Sequence, residues 1–123
     1  MKLSFGLIGA GPASFYTARQ LFKLYPECRV DIFEKLPVPF GLLRYGVAPD
    51  HQKIKRIQDD FAEICEDSRY DLNYYGNVDI GQQIPTDELR QFYSAIIYAY
   101  GTQGDKSVGI PGEEGVSGLY NSR

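Results

Sequence analysis

The sequence predicts an α/β fold with a mainly parallel sheet. Three observations carry the prediction. Residues 3–8 form a short apolar run that stops at a glycine turn, Gly9-Ala10-Gly11. Phe15, Ala18, Leu21, Phe22 and Tyr25 then recur at three- and four-residue steps, which makes one face of a helix of about three turns. A second apolar run, Arg29–Phe33, ends on the acid Glu34. Strand, glycine turn, helix, strand and acid in this order are the layout of a βαβ unit that holds the pyrophosphate of a dinucleotide.

The totals bound the reading. A chain of 123 residues suggests one domain. At 43% hydrophobic and 24% charged residues it can build an ordinary core. A net charge of −3 supplies no basic field for nucleic acid. No apolar run approaches the ~20 residues that span a bilayer. Lys2 and Leu3 lead straight into the first strand, so no signal or transit peptide is visible. Cys28 and Cys65 stand alone without metal-ligand spacing, and read as buried or half-buried thiols. No metal site is expected.

Within the βαβ unit, Pro12 suits the first turn of the helix because its missing N–H costs nothing there. Pro26 ends the helix. Residues 35–49 hold three prolines and two glycines among large apolar groups. They are too irregular for a helix and too apolar for an ordinary exposed loop. Such a loop covers something, either its own core or a flat cofactor. Asp50 is the expected N-cap of the next helix, whose stripe is Ile54, Ile57, Phe61 and Ile64. Residues 70–75 and 78–80 predict two short strands parted by Gly76-Asn77. Thr86 is expected to cap a short helix through Phe92. Residues 94–100 are apolar enough for a central strand, and stop at Gly101. Beyond it glycine becomes frequent and periodicity ends, with a turn expected at Ile110-Pro111-Gly112-Glu113-Glu114. The expected organisation is therefore a folded part over 1–104 and a Gly-rich tail or linker over 105–123.

The chemistry sits at the glycine turn. Gly9 and Gly11 let backbone N–H groups approach an anion, and a helix N-terminus directly after them favours phosphate. Ser14 replaces the third glycine of the usual pattern, so a small shift of helix against strand is expected. Glu34 lies 25 residues after Gly9, where a ribose-binding acid belongs. Its carboxylate would repel a 2′-phosphate, so this turn prefers FAD or NAD over NADP.

Residues 36–51, Leu36-Pro37-Val38-Pro39-Phe40-Gly41-Leu42-Leu43-Arg44-Tyr45-Gly46-Val47-Ala48-Pro49-Asp50-His51, resemble the signature of the NADPH–adrenodoxin (ferredoxin) oxidoreductases and their bacterial ferredoxin–NADP reductase relatives. The resemblance includes Gly11-Pro12-Ala13, Asp31-Ile32-Phe33-Glu34-Lys35, Tyr75-Gly76-Asn77-Val78, Tyr100-Gly101 and Ile110-Pro111-Gly112-Glu113-Glu114. It implies the N-terminal part of a Rossmann-like FAD-binding domain. By that resemblance Gly9, Gly11 and Ala13 line the FAD pyrophosphate and Glu34 holds the adenosine ribose. Leu42 lies along the flavin, Val78 meets the adenine through its backbone, and Gly101 lets the chain pass close to the cofactor. His51, the only histidine, falls where the family keeps one near the flavin and is the candidate for proton transfer. Without the resemblance it reads as a helix-start residue beside Asp50.

The family's reaction passes a hydride from NADPH to FAD and then single electrons to a [2Fe–2S] ferredoxin, in mitochondria for many members. It needs a second glycine-rich unit for NADPH and a C-terminal segment that packs against the flavin. Neither is recognisable here, so the domain reads as incomplete, and the chain alone is expected not to reduce ferredoxin with NADPH. One reading is therefore an FAD-binding segment of such an oxidoreductase. Another is a catalytically inactive accessory or structural subunit associated with other protein subunits. A third is a stand-alone nucleotide-binding module.

Overall fold

In the computed structural model the described residues are 2–102, 104 and 106–120. The expected boundary between 104 and 105 involves Asp105, which lies outside them, as do Gln103 and residues 121–123. Four strands, β1 (Ser4–Ile8), β2 (Arg29–Phe33), β3 (Asp71–Tyr75) and β4 (Ala95–Tyr98), form one parallel sheet in the order β3-β2-β1-β4. The chain moves outward from β1 through β2 to β3, then crosses back to place β4 on the other side of β1. The α/β parallel fold predicted from the sequence is the fold observed.

One face of the sheet is packed by helices. Phe5, Leu7, Val30 and Ile32 point into it and meet Phe15, Ala18 and Phe22 of α1 (Pro12–Leu24). Phe61 adds a second helix, and its ring stacks on Phe15 at 4.8 Å between centroids. All of these except Phe5 and Phe22 are fully buried. Each such side chain contributes roughly 1.5–3 kcal/mol on leaving water, so this layer supplies most of the driving force. α1 ends at Leu24, with the Tyr25 N–H donating to the Leu21 carbonyl before Pro26.

The other face is thinner and partly polar. Gly6, Asp31 and Asn73 stand in one register row. Asp31 is fully buried. It forms an ion pair with Arg29 and accepts hydrogen bonds from Asn73 Nδ2 at 2.9 Å and the Tyr93 hydroxyl at 2.6 Å. Tyr93 reaches it by lying across Gly6, where a Cβ would come within 3.2 Å of the ring. Burial alone would push the Asp31 carboxyl up, but the bonds from Arg29, Tyr93 and Asn73 outweigh it and hold the group below the usual carboxylate range. Ile8, Phe33 and Leu89 complete this face with a small apolar cluster.

Several local expectations are corrected. Asp50 does not cap a helix. It sits inside a turn closed by the His51 N–H on the Ala48 carbonyl, so His51 takes the N-cap position, without a side-chain cap. The single helix expected there is two: α3 (Gln52–Lys55) and α4 (Ile57–Glu66). The break leaves Ile54 exposed and only Phe61 and Ile64 of the stripe buried. The strand expected over 78–80 does not form. Asn77 turns the chain at φ 59°, the Val78 N–H goes to the Glu34 carbonyl, and only an isolated Ile80–Ile84 bridge remains. Pro85, not Thr86, takes the N-cap of α5 (Thr86–Leu89), which is shorter than expected. β4 pairs with β1 alone, so among the described strands it is an edge strand and not a central one. The irregular loop contains a short helix, α2 (Leu42–Tyr45). Cys28 is buried as expected, whereas Cys65 is exposed.

Ser14 packs between helix and strand with its side chain bonded locally. It is fully buried, and its hydroxyl donates to the Gly9 carbonyl. Ser14→Ala is therefore expected to cost about 1 kcal/mol of stability, the net worth of one buried hydrogen bond. Urea unfolding of the two proteins measures it, and an unchanged midpoint would contradict it.

The tail from Gly101 onward contains no strand or helix among its described residues. The turn expected around Pro111 is present. The Glu113 carboxylate closes it by accepting from the Val108 and Gly109 N–H groups at 2.9 and 2.6 Å and from the Ser107 hydroxyl at 2.8 Å.

Candidate nucleotide site

The carboxyl ends of β1, β2 and β4 meet at the point where the strand order reverses. In open α/β sheets this crevice is where ligands bind. Gly9 leaves β1 with φ +103°, and its Cα lies against the backbone of the chain leaving β4. A Cβ there would fall 2.4 Å from the Ala99 carbonyl oxygen. Gly11 differs. It is the N-cap of α1 with φ −85°, and nothing stands within 4 Å of where its Cβ would be. Gly9 is thus required by the fold, whereas the space at Gly11 is open to a ligand.

α1 opens on Pro12 with no acid in its first turn. No side chain of its own first turn offsets the partial positive charge it turns toward the crevice. Ala13, next along, is exposed.

Ala10 is pinned from both sides. Its N–H donates to Glu34 Oε2 at 2.8 Å. Its carbonyl accepts the Phe40 N–H at 2.7 Å. Glu34 Oε1 accepts the Leu36 N–H at 3.1 Å. The backbone of Glu34 extends the sheet, its N–H donating to Tyr75 and its carbonyl accepting from Val78. Glu34 is thus the point where the glycine turn, the end of β2 and the start of the long loop are tied together.

The long loop both completes the core and faces the crevice. Phe40 holds φ 85°, a conformation that costs a non-glycine residue on the order of 1–3 kcal/mol. The cost is met by its buried ring, 5.2 Å from Phe15, and by its bond to Ala10. Arg44 lies over the same ring at 5.4 Å, and its Nε donates to the Pro39 carbonyl at 3.2 Å. Leu43 is buried with Phe40, while Leu42 and Tyr45 remain exposed. Gly41 carries the chain across the turn, so that a Cβ on it would sit 3.4 Å from the Gly11 Cα.

The sequence-predicted residues divide accordingly. Gly9, Gly11 and Glu34 come together at one turn, and Val78 joins them through the Glu34 carbonyl. The Val78 N–H is already engaged there, which leaves its carbonyl as the residue's remaining backbone polar group. Gly101, at φ +66°, follows the Ala99–Tyr100 segment that packs on Gly9. Ala13 and Leu42 flank the turn on α1 and α2. His51 is exposed at the start of α3, and its side chain makes no capping hydrogen bond. The bond from Ala10 to Glu34 and the role of Phe40 escape sequence reasoning, since neither a backbone donor nor a positive φ has a residue-type signal at these positions. Among the described residues no cluster of three or more His, Cys, Asp or Glu could hold a metal, and no helix is long and apolar enough to cross a membrane. A groove of about 160 Å³ lies elsewhere, between α1 and α4, lined by both signs of charge including Arg19, Asp60 and Arg69.

No family profile matches the chain. Individual proteins do. A probable mitochondrial NADPH:adrenodoxin oxidoreductase from Schizosaccharomyces pombe is 47% identical over 118 residues, covering 96% of this chain and 24% of the relative. Over nearly its whole length the chain is similar to the NADPH:adrenodoxin oxidoreductases. The mitochondrial NADPH:adrenodoxin oxidoreductase of Homo sapiens is 44% identical over 117 residues, covering 95% of this chain and 23% of that protein. Among solved structures, FprA of Mycobacterium tuberculosis in complex with NADPH superposes with a TM-score of 0.83 at 40% identity, covering 93% of this chain and 26% of FprA. The chain therefore corresponds to the N-terminal part of these oxidoreductases and spans about a quarter of the length of the curated relatives it matches.

Proposed function

We propose that this chain builds the adenosine and pyrophosphate side of an FAD site in a flavoprotein that carries electrons from NADPH to a [2Fe–2S] ferredoxin-type acceptor. The observation that carries the reading is the fold of the long loop onto the glycine turn through the Phe40–Ala10 hydrogen bond. It makes the family's most specific stretch part of the nucleotide crevice.

The residues fit the cofactor. The open space at Gly11 and the acid-free start of α1 suit a pyrophosphate. Each Glu34 carboxylate oxygen keeps a second lone pair for a ribose hydroxyl beside the backbone bond it already accepts. The Val78 carbonyl can accept from an adenine amino group. Exposed Leu42 offers an apolar surface to the flavin end, and Gly101 lets the β4 exit run close by. The one imidazole, His51, is the residue proposed to hold or move a proton. FAD, when bound, supplies hydride acceptance and one-electron transfer. The chain's own residues bind it and orient it.

The same reading makes residues 1–104 the FAD-domain part and 105–123 the connection toward an NADPH-binding part. The relatives are named as mitochondrial, and a mitochondrial location is proposed here too.

The test is flavin retention. The purified protein, mixed with FAD and freed of excess, is expected to keep the flavin absorbance bands. Gly11→Ala should weaken binding at least about tenfold, because its methyl group enters the pyrophosphate space. Its unfolding midpoint should stay near that of the wild type, since the methyl meets no protein atom. A wild-type protein that retains no flavin would count against the reading, as would a Gly11→Ala variant that binds as tightly.

A further inference from the structure

We infer that Glu34 is a positioning residue for the phosphate-binding turn, acting through the Ala10 N–H, in addition to any contact it makes with a ribose. The inference rests on the FAD reading above for its functional meaning, but its structural half stands without a nucleotide.

Ala10 is fully buried. A buried backbone N–H must find an acceptor, because water cannot reach it. The carbonyl of the same residue is taken by Phe40, and the N–H is taken by Glu34 Oε2 at 2.8 Å. The acceptor is a carboxylate, so the bond is charge-assisted and stronger than one between neutral groups. Through Oε1 the same carboxylate holds the Leu36 N–H at 3.1 Å. One side chain therefore sets the plane of the Ala10 peptide and anchors the start of the loop that crosses over it. The Gly11 peptide, next along, inherits that orientation, and its N–H is the one a pyrophosphate would meet, since the Gly9 N–H is already given to the Phe33 carbonyl at 2.7 Å. A residue that only read the ribose would leave the turn's geometry to other contacts.

The two routes separate with a pair of cofactors. The probes are FAD and a form of FAD whose adenosine ribose lacks the 2′ and 3′ hydroxyls. Glu34→Ala is expected to weaken FAD strongly and still to weaken the dideoxy form about tenfold, the equivalent of one lost buried hydrogen bond. If the effect of the substitution vanished with the dideoxy form, Glu34 would act on the ribose alone and the inference would be overturned.

A second measurement decides the matter without any cofactor. In the ¹⁵N–¹H spectrum of the nucleotide-free protein, the Ala10 amide should be shifted downfield and protected from exchange. Glu34→Gln, which keeps the shape but removes the charge, should move that resonance upfield. An Ala10 amide that exchanges like an exposed loop, or that does not move in Glu34→Gln, overturns the inference. If the amide behaves as expected but the wild-type protein binds neither form of FAD, the FAD reading fails and the positioning role stands.

Discussion

Gly9→Ala is expected to be the most damaging single-methyl change in the chain. Two costs add. At φ +103° an alanine is strained by on the order of 1–3 kcal/mol. Its Cβ would also overlap the Ala99 carbonyl oxygen at 2.4 Å and the Tyr100 Cα at 2.5 Å. Both obstacles are backbone, held by the pairing of β4 with β1, so neither can swing away as a side chain could. Overpacking of this kind adds about 1–3 kcal/mol. The sum, about 2–6 kcal/mol, reaches at its upper end the whole stability of a marginal domain. The variant should be insoluble, or should melt about 15 °C or more below the wild type by circular dichroism. A melt within a few degrees would show that β4 does not hold its place against the turn. The contrast with Gly11→Ala is informative, because two glycines two residues apart then fail for different reasons, one in folding and one in binding.

The second large effect is expected at Asp31. Removing its side chain in Asp31→Ala leaves Asn73 Nδ2, the Tyr93 hydroxyl and the Arg29 guanidinium without their common acceptor. Breaking a buried charged pair costs about 3–5 kcal/mol. Arg29 is half-exposed and can turn to water, so the lower end applies, about 3 kcal/mol. The effect has a pH signature. The Asp31 carboxyl is held below its usual range in the folded state, so the unfolded chain takes up the proton first. The stability it contributes is present above the unfolded value of about 3.9 and is lost as pH falls through the lower folded value. The urea midpoints of wild type and Asp31→Asn should therefore differ most near neutral pH and converge below about pH 4. A gap that stays constant between pH 6 and pH 3 would mean that Asp31 is held without a net preference for its charged form.

Much of this protein is legible in its sequence, and the legible parts have local causes. β1, α1 and β2 appear within one or two residues of where apolar spacing puts them, because Pro12 and Pro26 bracket the helix and Gly9 ends the strand. The parallel sheet follows from strands separated by helical spacing. The misreadings share a different cause. Asp50 is a good cap by residue type, but the turn over residues 48–51 closes first and moves the cap to His51. Val78 has the composition of a strand, but its N–H is drawn to Glu34, and Asn77 has already turned the chain. In both places a backbone hydrogen bond between segments outweighs local propensity.

The candidate site shows the same division. Gly9, Gly11 and Glu34 can be found from spacing alone, since a nucleotide turn needs those residue types there. Asp31 could have been flagged as the one acid between Val30 and Ile32 in an apolar strand. Two of its three partners could not, because Tyr93 and Asn73 lie far along the chain and meet Asp31 only once the sheet has formed.

What the sequence determined by itself is the order of elements, the glycine turn, the acid at its far side and the resemblance that the long loop carries. These depend on contacts within a few residues or on residue type. The tertiary structure alone decided that β4 lies beside β1 and makes Gly9 indispensable, that Phe40 folds back onto Ala10, and that Glu34 ties the turn to the loop. Those outcomes depend on which distant backbone donors and acceptors are buried together, and burial satisfies them in pairs that no local pattern encodes.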